Sequence, residues 1–276
     1  MYQTYDVRGG ADQGRKALPL IRQQLAAMGL DGLYVPHEDE WQNEYLPDCT
    51  ERLSWATGFT GSAGAAIIMR DTAFLFSDGR YTIQAETQTA SELFERRDLT
   101  EAGPSVWLKS DAPQGVKIGY DPKLVAPDAL ARLTEAAIDS GVTLVALDAN
   151  PIDLAWVDRP AEPSAEIVAH PESFSGESSA SKRSRLGEKL THDGISASVL
   201  TAPAALAWLF NIRGRDVTRT PLTLGSAILR ADGTATLFVK PEKVTPALRG
   251  FLGNEVSISP DTDFAAALAR DRKSVV

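Results

Sequence analysis

Residues able to do chemistry are thinly spread along this chain, and their spacing limits what they could do. The three histidines, His37, His170 and His192, stand far apart, and none lies in a ligand spacing such as H-x-x-x-H, so no zinc-type centre is spelled out. His37-Glu38-Asp39-Glu40 concentrates oxygen ligands. It lacks the alternating carboxylates and central glycine of a calcium loop, however, and reads as a solvated acidic loop. Gly58-Phe59-Thr60-Gly61-Ser62-Ala63-Gly64 offers backbone N–H groups of the kind that cradle a phosphate. These glycines precede an apolar strand instead of following one and opening a helix, and no Lys-Ser/Thr pair follows. Close backbone approach is therefore the better account of them. Ser62 has no G-x-S-x-G frame for a nucleophile, and Cys49 stands alone, which leaves neither a disulfide framework nor a thiolate cluster. Two segments remain, Asp78-Gly79-Arg80-Tyr81 and Asn211-Ile212-Arg213-Gly214-Arg215-Asp216. Each sets an arginine in a loop after an apolar element, where it could bind a carboxylate or an acidic partner surface, or close a structural ion pair.

The elements that would position these residues follow from hydrophobic period and turn chemistry. Leu18, Ile21, Leu25 and Met28 mark one face of a helix that Gly29 can end in a left-handed cap, and Leu33-Tyr34-Val35 is a strand stopped by Pro36. Between Arg52 and Tyr81 lies a hairpin, with strands Ala65 to Met69 and Ala73 to Ser77 about the turn Arg70-Asp71-Thr72. It delivers Arg80 and Tyr81 to a strand end, where they would project from an edge. Helical composition follows from Tyr81 to about Arg97, then a strand Val116 to Tyr120, a helix Pro127 to Ser140 closed by Gly141, and a strand Val142 to Leu147. The proline-rich run from Asp158 to Ser164 and the Ser/Gly-rich run Ser173 to Ser181 read as a boundary. Beyond it come a helix (about Ser179 to Leu190), a strand (Ala197 to Thr201), an apolar helix (Pro203 to Ile212), a hairpin and another helix.

This succession repeats. Leu53 to Phe59 matches Leu206 to Ile212 around Trp55 and Trp208, and Ile67-Ile68 through Phe74-Leu75-Phe76 matches Ile228-Leu229 through Thr236-Leu237-Phe238. Two copies of one α/β unit account for this, with chance likeness of two generic α/β orders as the alternative. The ending, Lys273-Ser274-Val275-Val276, reads as a strand start, and the second copy is expected to be cut short. The chain has 276 residues, 43% of them hydrophobic and 24% charged, enough for two domains with real cores. A net charge of -9 argues against nucleic acid or an anionic membrane as partner. No apolar run approaches the roughly 20 residues that span a bilayer, and no signal pattern opens the chain, so a soluble cytosolic protein is expected.

With these segments laid out, the chain resembles the N-terminal half of the three-domain Xaa-Pro aminopeptidases (aminopeptidase P), relatives of creatinase and prolidase. The likeness runs through Glu44-Tyr45 with Pro47 and Cys49, Ser54 to Gly64, and Ser77-Asp78-Gly79-Arg80-Tyr81 with Gln84-Ala85. It continues through Trp156-Val157-Asp158-Arg159-Pro160 and Ala207 to Val217. The resemblance implies two similar three-layer α/β/α domains with mixed sheets, residues 1–160 and 161–276, the second incomplete. It implies a further C-terminal pita-bread domain, absent from these residues, whose two Asp, one His and two Glu would hold a dinuclear manganese or zinc site. It also implies a peptide substrate with proline in second position, a cytoplasmic homodimeric parent, and no peptidase activity in this chain alone. By the same resemblance Arg80 reaches toward the substrate cleft, with His37 and its loop to Tyr45 beside it. A standalone creatinase-like binding or scaffolding module is the competing expectation.

Overall fold

The apolar stripe of the first helix sets the first layer. Leu18, Ile21 and Leu25 are buried on α1 (Ala11–Ala27), which ends as Gly29 turns to a φ of +67°. Met28 stands apart from that stripe, because it is the residue that caps the helix and is 37% exposed. The computed structural model describes residues 8–270, and these fall into two units that meet between Ala161 and Glu162. The expected strand start at Ser274 to Val276 lies outside the described residues.

In the first unit α1 is followed by β1 (Gly32–Pro36), α2 (Arg52–Thr57), β2 (Gly64–Met69), β3 (Ala73–Ser77) and α3 (Thr82–Gln88). Then come β4 (Glu95–Asp98), α4 (Pro104–Ser110), β5 (Lys117–Tyr120), α5 (Pro127–Ser140), β6 (Thr143–Ala146) and α6 (Pro151–Ala155). The sheet order is β4-β3-β2-β1-β5-β6. Its centre is antiparallel, β1 with β2 and β2 with β3, and its flanks are parallel. Every residue of β2 and β3 is buried, as continuous apolar runs require when both faces of a sheet are covered. One face, with Leu33, Ala66, Ile68 and Leu75, packs on α1, α2 and Ile152 of α6. The other, with Ile67, Phe74 and Phe76, packs on Trp107 and Leu108 of α4 and on Leu133, Ala136 and Ala137 of α5. Helical composition over Tyr81 to Arg97 misleads in its second half. Glu95-Arg96-Arg97-Asp98 is a parallel edge strand on β3, held by backbone pairing from Phe74 to Ser77 and by the Arg97 guanidinium 5.0 Å from the Phe74 ring centre.

The second unit contains β7 (Val168–Ala169), α7 (Glu172–Ser175), α8 (Ser179–His192), β8 (Ala197–Leu200), α9 (Pro203–Leu209) and β9 (Ile212–Arg213). It continues with β10 (Ser226–Arg230), β11 (Ala235–Phe238), α10 (Pro246–Leu252), β12 (Val256–Ser259) and α11 (Phe264–Arg270). The apolar helix stops at Leu209, short of the expected Ile212, because Asn211 takes a φ of +51° and Ile212 pairs with Ala169. Its main sheet runs β12-β11-β10-β8, with β8 and β10 antiparallel, β10 and β11 antiparallel, and β11 and β12 parallel. That repeats the order and sense of β4-β3-β2-β1, so the duplication seen in sequence is a duplication of topology. The first sheet has six strands and this one four.

One buried guanidinium closes the first unit. Arg52, 3% exposed, donates to both carboxylate oxygens of Asp153 at 2.7 and 3.0 Å and to Glu40 at 2.7 Å. Arg159 joins the same Asp153 at 2.9 Å and bonds the Cys49 carbonyl oxygen at 2.6 Å. Arg52→Ala leaves Glu40 without its ion-pair partner and Asp153 with Arg159 alone, and is expected to cost about 3 kcal/mol in urea denaturation, near the low end for a broken buried pair. An unchanged midpoint would refute that role.

Candidate functional site

The parallel strands β1, β3, β4, β5 and β6 all end on one edge of the first sheet, the side where open α/β sheets carry their ligand sites. Register brings three chain segments together there. Pro36 pairs with Ala65 and Gly64 with Ser77, so His37, Ser62 and Asp78 emerge side by side.

The loop after β1 corrects the expectation of a solvated acidic loop. Asp39 is fully buried, its Oδ1 accepting from the backbone N–H groups of Trp41 and Asn43 at 3.0 Å each and its Oδ2 from the Asn43 amide at 2.9 Å. It folds the loop, and Glu40 is taken by Arg52. His37 is 7% exposed and donates from Nε2 to the Glu44 carbonyl oxygen at 3.0 Å, so this ring holds loop geometry. Glu44 in turn accepts from the Ser62 hydroxyl at 3.3 Å, and Ser62 shares a 2.9 Å hydrogen bond with the Tyr81 hydroxyl. Tyr81 packs edge-on against Phe59, with ring centres 5.8 Å apart.

Arg80 stands at the mouth of this network with 70% of its side chain exposed. Its Nε and Nη2 donate to Asp78 Oδ2 at 3.0 and 2.6 Å, and its guanidinium lies 5.4 Å from the Tyr81 ring centre. The hydrogen bonds from Arg80 hold the Asp78 carboxyl below the usual carboxylate range, and those same bonds raise Arg80. The structure thus brings Arg80 and His37 to one edge, joined through Glu44, Ser62 and Tyr81. Sequence reasoning did not single out Glu44 or Asp78 as Arg80's neighbours. The Asp-x-Arg spacing, which lets a side chain fold back two residues, was the available signal for Asp78. Chemically the edge offers a tethered cation and a phenol, suited to receiving a carboxylate or an acidic surface. Ser62 is bonded to Tyr81 and Glu44, without a histidine to act as base.

The glycines serve packing. Gly58 has a φ of +86°, and a Cβ there would sit 2.2 Å from the Gly10 carbonyl oxygen. A Cβ on Gly61 would strike the Phe59 and Tyr81 rings at 2.3 and 2.8 Å. In the second unit Asn211, Arg213 and Asp216 are framework, while Arg215 between them is exposed. Buried Asn211 accepts from Lys182 Nζ at 2.7 Å and donates to the Glu177 carbonyl oxygen at 2.8 Å, while Asp216 pairs with buried Lys243 at 2.6 Å. Arg213 donates to the carbonyl oxygens of Ala207 and Ile212. Among the described residues no three His, Cys, Asp or Glu side chains converge as metal ligands, so a dinuclear manganese or zinc pair has no fitting donor set in them.

Two family models match the chain in tandem, each described as the creatinase/prolidase N-terminal domain, over residues 18–154 and 158–276. A protein described as a probable Xaa-Pro aminopeptidase P from Penicillium rubens is 34% identical over 96% of this chain and 44% of its own length. One of the same description from Aspergillus niger is 36% identical over 91% of this chain and 42% of its own. The chain therefore spans less than half the length of these relatives. Among solved structures, the X-prolyl aminopeptidase of Caenorhabditis elegans, described as a cytosolic enzyme with a di-nuclear active site, superposes with a TM-score of 0.88. It is 25% identical, with 94% of this chain and 44% of that one covered.

Burial beside His37 generates a pH prediction. Glu51, which precedes α2, has its carboxyl pushed up by burial, an effect that the nearby His37 opposes. With the folded value above the unfolded one, the protonated form favours folding, and that stability is lost as pH rises through the folded value. Glu51→Gln is therefore expected to raise Tm by about 2 °C at neutral pH and to match the parent below about pH 4. A thermal series across that range showing a constant offset would refute it.

Proposed function

Because the chain belongs to the creatinase/prolidase N-terminal domain family, with one copy in each unit, we propose that it is the leading, non-catalytic portion of a cytoplasmic Xaa-Pro aminopeptidase. One observation carries this reading. Relatives named for that activity align with nearly the whole chain, 96% of it in the Penicillium rubens protein, while the chain spans 44% of that relative. Catalysis in such a parent belongs to the part not matched here, a C-terminal pita-bread domain. The two manganese or zinc ions belong there too. The substrate of the parent is a peptide with proline in second position, and the parent is a homodimer. That no helix of the described residues is long and apolar enough to cross a membrane accords with a cytoplasmic setting, as does the description of the C. elegans enzyme.

Within that parent, the role of these residues is to wall the substrate cleft. Arg80 is the best placed of them. Its charge is exposed at the sheet edge, and Asp78 and Tyr81 hold it in a defined direction, so that it presents a cation to a peptide carboxylate without costly ordering. His37 contributes indirectly, by fixing the loop that supplies Glu44.

The purified 276-residue chain is expected to release no N-terminal residue from an X-Pro-Y peptide with manganese or zinc added. In a parent polypeptide carrying the C-terminal domain, Arg80→Ala is expected to raise KM about 10-fold and leave kcat within about 2-fold, the pattern of lost uniform binding. Metal-dependent release by the chain alone would overturn the non-catalytic reading, and an unchanged KM would overturn the role of Arg80.

A further inference from the structure

α5 carries two stripes. The first, Leu133, Ala136 and Ala137, is buried on the sheet of the first unit. The second, Pro127, Ala131, Thr134 and Ile138, faces away from that sheet and is exposed along its whole length, with Ile138 at 73%. Single exposed apolar residues are ordinary on a protein surface, and it is the spacing that sets these apart. Steps of four, three and four residues are those of the seam along which two helices pack, and a shallow, mostly apolar groove follows it. A helix that only faced water would be served better there by polar residues of higher helix propensity than Ile and Thr. Charge borders the seam on one side. Arg132 and Glu135 lie about one turn apart and exposed, and neither forms a hydrogen bond or an ion pair among the described residues. Lys109 of α4, whose charge acts on Glu135, is bonded to Asp139 instead, at 2.9 Å.

We propose that this stripe is a contact between two copies of the chain, in which α5 packs antiparallel on the partner's α5 about a two-fold axis between Ala131 and Thr134. A second copy is the fitting occupant because the stripe is its own complement under that rotation. Pro127 falls against the partner's Ile138 and Ala131 against the partner's Thr134, which sets the smaller side chains where the helix axes come closest. The same rotation places Arg132 beside the partner's Glu135, and Glu135 beside the partner's Arg132. Each charge left unpaired within the chain thus gains an opposite charge across the contact. Asp128 approaches the partner's Asp139 at the ends of the seam, and the bond from Lys109 offsets that repulsion. About three turns of helix bury far less than the roughly 1,600 Å² of a standard interface, so the contact is weak and reversible, with a Kd on the order of 100 µM. It depends on α5 alone and not on the peptidase reading, so either can fail without the other.

Sedimentation equilibrium on the 276-residue chain, from about 10 µM to about 1 mM, tests the contact. The chain is expected to associate with the Kd given above. Arg132→Glu and Glu135→Arg, both at exposed positions that the fold does not need, are each expected to weaken association at least about 10-fold by setting like charges face to face. A 1:1 mixture of these two variants is expected to recover the parental Kd within about 3-fold, since one copy then carries two carboxylates and the other two guanidinium groups. Ile138→Ser removes the apolar end of the seam without changing charge, and is expected to weaken association about 5-fold in either background. A chain that does not associate at about 1 mM overturns the proposal and leaves the stripe to a helix of another protein. Association that neither charge reversal changes overturns it too, by placing the contact elsewhere, as does a mixture that associates no better than its components.

Discussion

Two-sided burial of a short hairpin is the constraint on which both units depend. β2 and β3 bury every residue, and β11 buries all four of its own, so each hairpin must have helices on both faces before it can leave water. Each fully buried Ile, Leu or Phe side chain contributes on the order of 2 kcal/mol, and a face left open forfeits that along its length. The helix-strand alternation around each hairpin is the chain's way of supplying the cover. The first unit completes both faces, whereas the second completes one of them among the described residues and leaves much of the other to α11 alone.

The same packing decides where polar chemistry can sit. With the sheet centre dry, ionisable groups gather at strand ends, and they are shared out between two kinds of work. Arg52 with Asp153 and Glu40, and Lys243 with Asp216, are buried and tie distant segments together, so that their charges are consumed in architecture. Arg80 carries its partner on its own turn and keeps its exposure, which leaves it able to exchange Asp78 for another carboxylate. Burial and the origin of the partner, rather than the presence of an arginine in a loop, separate a framework residue from a candidate contact.

Much of the fold was legible in sequence because the signals were local. The hairpin turn Arg70-Asp71-Thr72, the helix Pro127–Ser140 with its glycine cap, and the repeat around Trp55 and Trp208 follow from period, turn chemistry and self-similarity. The strand Glu95–Asp98 was not legible. Its residues carry no strand pattern, and only backbone pairing along the outer edge of β3 makes them extended. The loop from His37 to Glu44 was misread for a related reason: carboxylates in sequence suggest solvent, and nothing local reveals that Asp39 folds inward onto the amides of Trp41 and Asn43.

By itself, then, the sequence determined a duplicated α/β chain, because hydrophobic spacing and motif order are properties of neighbours along the chain, and its motifs carried the resemblance to the creatinase/prolidase family. Only the tertiary structure decided that Arg213 is bonded into the framework while Arg80 stays exposed beside Asp78, and that His37, Glu44, Ser62 and Tyr81 form one network at a single sheet edge. It alone also decided that one face of the second sheet is thinly covered. Those outcomes depend on strand register and on burial, which bring together residues whose separation in sequence carries no record of their contact.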